Sequence, residues 1–298
     1  MPRSIFLVSL ATLCLAAPKP WANDTTLCTI AERIAGQQVV PLAGIAALDA
    51  SVTAFLSLVV GPPWNRSFSD IDYATNTAAF WPAMNHTVRT RAIITAVVSP
   101  GSQYFGQNDT AAVALSLLDW WLVRDLQSVN WWFNGIGVGG YVGPTALLLW
   151  DALSSNESAA ATAVVGRSSY KGMTGANLVW EAGNVLMAGL FEGNRTTVAG
   201  AAAASFTVIA FAPGALEGMK ADGAFFQHGA QLYNGGYGQS FCYDSEHFYR
   251  VCCLCHRDLL SLLSQSSTFL RWSRIHPLRR RLLRGTPSRA GLSTARYA

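Results

Sequence analysis

The sequence has few charged residues and few signals for β-strands. Of its 298 residues, 51% are apolar and only 13% are charged, which excludes a disordered chain and predicts a sizeable buried core. Period-two alternation of β-branched residues is scarce, so strand-based architectures are disfavoured. The length suits one large domain or two small ones.

Positive charge is also lacking over most of the chain. Residues 1–250 contain 12 Lys/Arg and 16 Asp/Glu, a formal balance of −4. Residues 251–298 contain nine Arg, no Lys and the single acid Asp258, a balance of +8. The basic character therefore belongs to the C-terminal tail, and the sequence does not predict a nucleic-acid-binding protein.

The cysteines lack a metal-binding pattern. Cys14 lies in the N-terminal apolar stretch, and the five remaining cysteines are an odd number, so no complete disulfide framework follows. The spacing Cys252-Cys253-x-Cys255 is not the Cys-x2-Cys of zinc sites, and a metal site there is not expected.

The N-terminal apolar stretch is too short to span a bilayer comfortably. Residues 5–17 follow Arg3 and precede small residues, which predicts a secretory signal peptide over residues 1–22. Six Asn-X-Ser/Thr sequons support export through a glycosylating pathway and a secreted, extracellular protein. They begin at Asn23, Asn65, Asn85, Asn108, Asn156 and Asn194.

Helical periodicity is the dominant pattern, and it predicts an all-α fold. Helix–loop–helix repeats with glycine-rich connections are typical of an (α/α) toroid or barrel, whose long loops line a cleft on one rim. The uncharged segment 198–216 is interpreted as a buried inner helix rather than a membrane span. The predicted helical regions are 29–60 with a break near Pro41, 73–98 with a kink near Pro82, 110–126, 145–153, 175–190 and 197–210.

The composition changes sharply near Phe241. Arg, Ser, Leu and Cys dominate the residues that follow, and no fold pattern is evident. We therefore expect a helical domain over residues 23–241 and an aberrant tail over residues 242–298 that is not a folded domain. A frame shift, a retained intron or an incorrect gene end would explain such a tail.

An aromatic segment, Asn130-Trp131-Trp132-Phe133-Asn134, precedes the glycine-rich stretch 135–143. Aromatic faces stack on sugar rings, and neighbouring amides hydrogen-bond to hydroxyl groups. An ordinary aromatic core cluster is the alternative reading of the same residues.

Two further segments contain residues suited to catalysis. Asn177 follows Thr174-Gly175-Ala176 at a predicted helix start, where it caps the helix or points its amide into a cleft. His228 and Tyr237 lie in the glycine-rich segment 222–238 and are candidates for proton transfer. Structural roles for the histidine and tyrosine remain the alternative.

Taken together, these three segments resemble polysaccharide lyase family 8, the hyaluronate, chondroitin and xanthan lyases. The family's NWW…IG, TGAN and DGSFxQHxxxxYxGxYG motifs appear here in order, with Ala224 in place of Ser in the last one. The resemblance covers roughly residues 29–241. It implies an incomplete α/α toroid, with the family's C-terminal β-sandwich domains absent from this chain.

The resemblance also implies β-elimination at a uronic acid in an acidic polysaccharide, without a metal or organic cofactor and without nucleic acid or membrane partners. Asn177 would hydrogen-bond to the uronate carboxylate and stabilise the dianion that forms as C5 loses its proton. Tyr237, with His228, would act as base and then acid. Since a free tyrosine has a pKa of about 10, the site must lower it or make the transfer concerted. Trp131 and Trp132 would position the substrate, with help from Asn130.

The chain departs from the family in ways that leave alternatives open. The family's arginine, some sixty residues beyond the histidine, has no recognisable counterpart, and Arg284 and Arg289 are not assigned to it. Because the family's β-sandwich domains close the cleft from the other side and are absent here, we expect weak or absent activity. The missing arginine favours a secreted sugar-binding remnant as an alternative function. An α/α-barrel glycoside hydrolase would need two carboxylates, for which Asp222 and Glu181 are the candidates. The oligomeric state and the particular polysaccharide are left open.

Overall fold

The computed structural model describes residues 19–208 and 211–252. Most of the predicted signal peptide, residues 1–18, lies outside these ranges. The tail from residue 253 onward, which includes Cys253 and Cys255, also lies outside them. Cys28 is disulfide-bonded, and Cys242 is an exposed free thiol. The described residues are mainly α-helical, which confirms the all-α prediction.

The chain divides into two compact units. The first comprises the residues up to Ser168 together with Met187–Asn194, and the second comprises Ser169–Leu186 and the residues from Arg195.

The first unit is built mainly from α-helices around a core of alanine, aliphatic and tryptophan side chains. Trp21, Trp121 and Ile93 are among its fully buried residues. Its elements are α1 (Thr25–Gln37), α2 (Leu42–Ser57), β1 (Val59–Val60), β2 (Ser67–Phe68), α3 (Met84–Val98), α4 (Asn108–Arg124), a π-helical turn (Phe133–Gly137), α5 (Val138–Leu149), a 3-10 turn (Trp150–Ala152) and α6 (Ser155–Val165).

Local sequence signals explain where several of these helices begin. The Asp24 carboxylate accepts the N–H groups of Thr26 and Leu27, at 2.8 and 3.1 Å, and so caps α1. A capping box of Ser154 and Glu157 starts α6. Among the described residues, no single helix is long and apolar enough to cross a membrane; only α1 and α2, bent by 74° at their junction, pass that test together on length and composition.

Two sets of loops lie at opposite ends of the first unit's helices. At one end, the α1–α2 and α3–α4 connections meet, where the Val40 N–H donates to Ser99 Oγ at 2.9 Å. At the other end, the α2–α3 connection (residues 58–83) meets the α4–α5 connection (residues 125–132), where Asn76 Nδ2 donates to the Gln127 carbonyl at 2.9 Å. We call residues 58–83 and 125–132 the rim loops.

The second unit combines helices with a small antiparallel sheet. The order of the sheet is β3-β4-β5, with Met219 opposite Phe225 and Gln227 opposite Gln231. Its elements are α7 (Gly175–Phe191, whose last residues count with the first unit), α8 (Arg195–Val208), β3 (Gly218–Met219), β4 (Phe225–Gln227), β5 (Gln231–Leu232) and α9 (Tyr237–Cys252).

Several predicted boundaries were wrong. The helix predicted from Tyr73 begins only at Met84, after Pro82, which lacks the N–H that a helix interior needs. The stretch 135–143, predicted as a loop, is helical. Its glycines permit close packing, since a Cβ on Gly143 would lie 2.9 Å from Met187 Cγ. The last described helix, α9, continues across Phe241, where the composition changes.

Candidate active site

His228 and Tyr237 lie together in the second unit. β4 ends at Gln227, and His228 follows with a φ of 57°, a left-handed conformation that is uncommon for a residue with a Cβ. Tyr237 is the first residue of α9. The imidazole Nε2 lies 3.0 Å from Tyr237 Oη, within hydrogen-bonding distance. The structure therefore brings two of the three predicted catalytic residues within hydrogen-bonding distance of each other.

The turn between β5 and α9 positions Tyr237. The Tyr233 N–H donates to the Phe225 carbonyl at 2.8 Å, and Asn234 Oδ1 accepts the Phe225 N–H at 2.6 Å. A Cβ on Gly238 would lie 2.7 Å from the Tyr233 carbonyl and 2.9 Å from Phe225 Cβ. Only glycine therefore fits directly after Tyr237, and the turn is fixed against the sheet.

Glu217 and Gln227 connect β4 to the start of α7. The Glu217 carboxylate accepts the Gln227 amide at 2.7 Å, the Gly229 N–H at 2.8 Å and the hydroxyl of Thr174. Gln227 Oε1 in turn accepts the Ala176 N–H at 3.0 Å. Through this network the His228 segment and the first turn of α7 hold each other in place.

Asn177 lies in that first turn, and it does not cap the helix. The Gln227 side chain already satisfies the N–H of Ala176, and Asn177 Oδ1 is buried without a hydrogen-bond partner among the described residues. One turn further, the Trp180 ring lies 5.8 Å from the Tyr237 ring. Because residues three apart share a helix face, Asn177 lies on the face of α7 that is directed towards Tyr237.

The electrostatic surroundings of Tyr237 disfavour its ionised form. Partial burial raises the pKa of Tyr237 above its ordinary value, and the nearby Tyr233 and Glu217 raise it further. The described surroundings of Tyr237 therefore give no support to a lowered pKa, which is one of the two options that the sequence left open.

The aromatic segment lies in the first unit, where its two tryptophans differ in exposure. Trp131 is 52% exposed, whereas Trp132 is half-buried. Asn130 has both ends of its amide engaged: Nδ2 donates to the Ala78 carbonyl at 2.6 Å, and Oδ1 accepts the Trp132 N–H at 2.9 Å. Asn130 therefore shapes the rim loops, and Trp131 is the more accessible surface for a sugar.

Asp222 and Glu181, the two carboxylates that a glycoside hydrolase would need, each accept a hydrogen bond from a backbone N–H group. Asp222 Oδ1 accepts the Ala224 N–H at 3.0 Å within a turn, and Glu181 is 3% exposed and accepts the Ser169 N–H at 2.6 Å. This arrangement does not resemble two carboxylates facing each other across a scissile bond. Among the described residues there is also no cluster of three or more His, Cys, Asp or Glu that could hold a metal ion.

Comparison with known sequences identifies the family. Residues 46–243 match the description "Polysaccharide lyase family 8, N terminal alpha-helical domain". The chain is 28% identical over 195 residues to xanthan lyase from Bacillus sp. (strain GL1), a match that covers 59% of this chain and 21% of that enzyme. It is 25% identical over 178 residues to chondroitinase-AC from Pedobacter heparinus, covering 59% and 25% respectively.

Solved structures show the same fold. A Streptomyces coelicolor A3 chondroitin AC lyase in complex with chondroitin sulphate aligns with a TM-score of 0.65 at 20% identity, over 80% of this chain and 35% of that one. A Paenibacillus xanthan lyase aligns with a TM-score of 0.60 at 22% identity, over 88% and 24%. The chain thus spans a fifth to about a third of its relatives' lengths. Since the family match covers more than half of it, this chain belongs to polysaccharide lyase family 8 through the family's N-terminal α-helical domain.

Proposed function

We propose that this chain cleaves a uronate-containing acidic polysaccharide by β-elimination. The observation that carries the proposal is the 3.0 Å contact between His228 Nε2 and Tyr237 Oη. The face of α7 that contains Asn177 is directed towards this pair. Xanthan lyase and chondroitinase-AC, to which the chain is similar, are named for acidic polysaccharides.

Asn177 binds the uronate carboxylate in this proposal. Its buried Oδ1 position has no protein partner among the described residues, and such a group is expected to have a ligand or water partner. A half-turn of the amide exchanges its oxygen and nitrogen, so this position can offer an N–H donor to the carboxylate. The donor stabilises the negative charge that accumulates on the carboxylate as the C5–H bond breaks.

Tyr237 and His228 move the proton. Tyr237 Oη accepts the C5 proton while its own phenolic proton passes to His228 Nε2, so no free phenolate is needed despite the raised pKa. The C5–H electrons form the C4–C5 double bond, and the bond from C4 to the glycosidic oxygen breaks. His228 returns its proton to Tyr237, which protonates the leaving oxygen, so that no net proton is consumed.

One observation favours a second candidate function, sugar binding without turnover. Among the described residues, the groups that shift the pKa of Tyr237 all raise it, and none of them is a cation. A site with this electrostatic character would still bind a sugar carboxylate through Asn177 but would transfer the proton slowly.

Ultraviolet absorbance separates the two candidates, because only elimination creates a conjugated C4–C5 double bond. The full chain is incubated with chondroitin sulphate, hyaluronan and xanthan, beside its Tyr237→Phe variant. We expect absorbance to rise with the parent chain and not with the variant. A flat trace from folded parent chain that still binds one of these polysaccharides would establish the binding-only function and refute the lyase.

We also propose that the chain is secreted and N-glycosylated. Each of the six sequon asparagines has an exposed side chain, as glycosylation requires. After expression in a secreting eukaryotic host, endoglycosidase treatment should reduce the apparent mass; a secreted chain whose mass is unchanged would contradict the proposal. The six residues are Asn23, Asn65, Asn85, Asn108, Asn156 and Asn194.

A further inference from the structure

Two exposed aromatic side chains on the rim loops, Trp64 and Phe80, have no role in the reaction described above, and Phe80 belongs to a turn that contacts the aromatic segment. Phe80 is 61% exposed. Its N–H donates to Thr77 Oγ1 at 3.1 Å, and its carbonyl accepts the Thr77 N–H at 3.0 Å. Both of its backbone polar groups are thus tied to one residue, in a closed turn over residues 77–80. This turn holds the ring in solvent, although an exposed aromatic ring forfeits the free energy of burial.

The turn is fastened to the aromatic segment on both sides of Trp131. Asn130 Nδ2 donates to the Ala78 carbonyl at 2.6 Å. Beneath the surface, the Trp81 ring lies 5.6 Å from the Phe133 ring. Because the neighbours of Phe80 contact the neighbours of Trp131 in this way, the two exposed rings belong to one ordered surface.

We propose that Phe80 and Trp131 form a two-ring platform that stacks sugar rings of an acidic polysaccharide, and that Phe80 is a substrate-positioning residue. The proposal rests on the proposed function and extends its binding segment to a second loop. Stacking uses the C–H face of a pyranose against the aromatic face, and a ring fixed in advance loses little entropy on binding.

The charge nearby suits an acidic sugar rather than an apolar protein partner. Arg124, where α4 meets the rim loops, donates to Asn65 Oδ1 at 2.8 Å and packs 4.2 Å from the Trp120 ring centroid. Neither partner is a carboxylate, so these contacts orient the guanidinium without neutralising it. An oriented cation in the rim-loop region matches the carboxylate or sulphate groups of such a polysaccharide.

The test measures binding apart from cleavage. Full-length chains that contain Tyr237→Phe are run in native gels with chondroitin sulphate or xanthan, and dissociation constants are taken from their retardation. We expect Phe80→Ala to weaken binding about five- to tenfold and Phe80→Leu to weaken it similarly, because leucine retains apolar area without a flat ring. Phe80→Trp should bind at least as tightly as the Tyr237→Phe parent.

The matched control is Phe105→Ala. Phe105 is 53% exposed, but it lies in the α3–α4 connection at the opposite loop end of the first unit, and its removal should leave binding unchanged. Equal weakening by Phe105→Ala, or unchanged binding by Phe80→Ala beside weakened binding by Trp131→Ala, would overturn the proposal and leave the proposed function intact. A parent chain that neither binds nor cleaves any of these polysaccharides would mean that the proposed function itself had failed.

Discussion

The amide side chains of the rim-loop region and of the second unit differ in how they use their hydrogen-bonding groups. In the rim-loop region, Asn134 binds the Ser128 backbone with both ends of its amide, each at 2.7 Å, and Asn76 likewise binds backbone groups of Gln127 and Val129 with both ends. In the second unit, Asn177 has its oxygen buried and without a partner among the described residues.

Under the proposed function, this difference distinguishes the amides that shape a loop from the amide that binds the substrate. Asn130 and Asn177 both stand in motif-like segments, and the sequence suggests a sugar contact for each. An amide with both ends satisfied by backbone stabilises a loop, whereas a buried amide with an unmet group costs free energy unless a ligand or water satisfies it.

Tyr237→Phe should have the largest effect. Removal of the phenolic oxygen eliminates the group that exchanges protons with His228 and the sugar, and we expect the rate of elimination to fall by about 10²- to 10⁴-fold. The measurement is the initial rate of absorbance increase. Tyr233→Phe is the matched control, because the Tyr233 ring packs 5.3 Å from the Tyr237 ring but the proposed transfer does not use its hydroxyl.

The pH profile tests the same step. The pKa of Tyr237 is raised above 10 by burial and by Tyr233 and Glu217. A concerted transfer needs no prior ionisation, so the rate should level off well below pH 10. A rate that continued to rise tenfold per pH unit towards pH 10 would show that free phenolate is the base and contradict the proposed mechanism.

Asn177→Ala should have the next largest effect. It should lower the rate of turnover without lowering the stability of the fold. Loss of one donor to a developing negative charge typically lowers the rate about 10²- to 10³-fold. Since the Asn177 oxygen has no partner among the described residues, its removal should leave the free energy of unfolding unchanged or slightly higher. Rates and thermal unfolding are measured together. A large loss of stability with turnover retained would place Asn177 in the scaffold.

The helices could be predicted from sequence where periodicity and stop signals agree. The break at Pro41 and the ends of α4 and α7 follow from such signals, to within about two residues. The α6 helix was missed although its Ser154…Glu157 capping box is visible in the sequence. The sheet of the second unit could not be found, because strands of two or three residues are too short to show alternation.

The candidate site could be located from sequence, but its geometry could not. The motifs singled out His228 and Tyr237, and the structure brings their side chains together. The network of Glu217 and Gln227 with the start of α7 joins residues 43 and 51 positions apart, for which no local pattern exists. The hydrogen bond by which Asn130 joins the two rim loops could not be predicted either, since its acceptor is the Ala78 carbonyl, 52 residues earlier.

A smaller effect, on the pH dependence of stability, is expected from His86. This histidine is buried, whereas His228 is exposed. His86 is fully buried: its Nε2–H donates to the Leu117 carbonyl at 2.8 Å, and Nδ1 accepts the Tyr73 hydroxyl at 2.9 Å. Burial, and to a lesser degree the charges of Arg124 and Arg89, lower the pKa of His86 from 6.5 to about 4, although the bond to Leu117 opposes this shift. The unfolded chain therefore binds a proton more readily than the folded chain between pH 6.5 and 4.

Stability should consequently be complete above pH 6.5 and decline as the pH falls towards 4, by up to about 1.4 kcal/mol per pH unit. Urea unfolding at several pH values measures the slope. His86→Gln should reduce the slope across this window. An unchanged slope in His86→Gln would mean that other groups cause the pH dependence.

Asn134→Ala should have the smallest effect on turnover. Its expected outcome is the opposite of that for Asn177→Ala, because it should lower stability and leave turnover nearly unchanged. The variant leaves the Ser128 N–H and carbonyl without their 2.7 Å partners, so we expect a loss of about 1–3 kcal/mol in the free energy of unfolding. Turnover at saturating polysaccharide should change little, because Asn134 does not contact the proton-transfer pair, whereas KM should rise as the loop that presents Trp131 becomes less ordered. Urea unfolding and steady-state kinetics give both quantities. If Asn134→Ala instead lowered kcat as strongly as Asn177→Ala does, the division between an amide that shapes a loop and an amide that meets the substrate would be wrong.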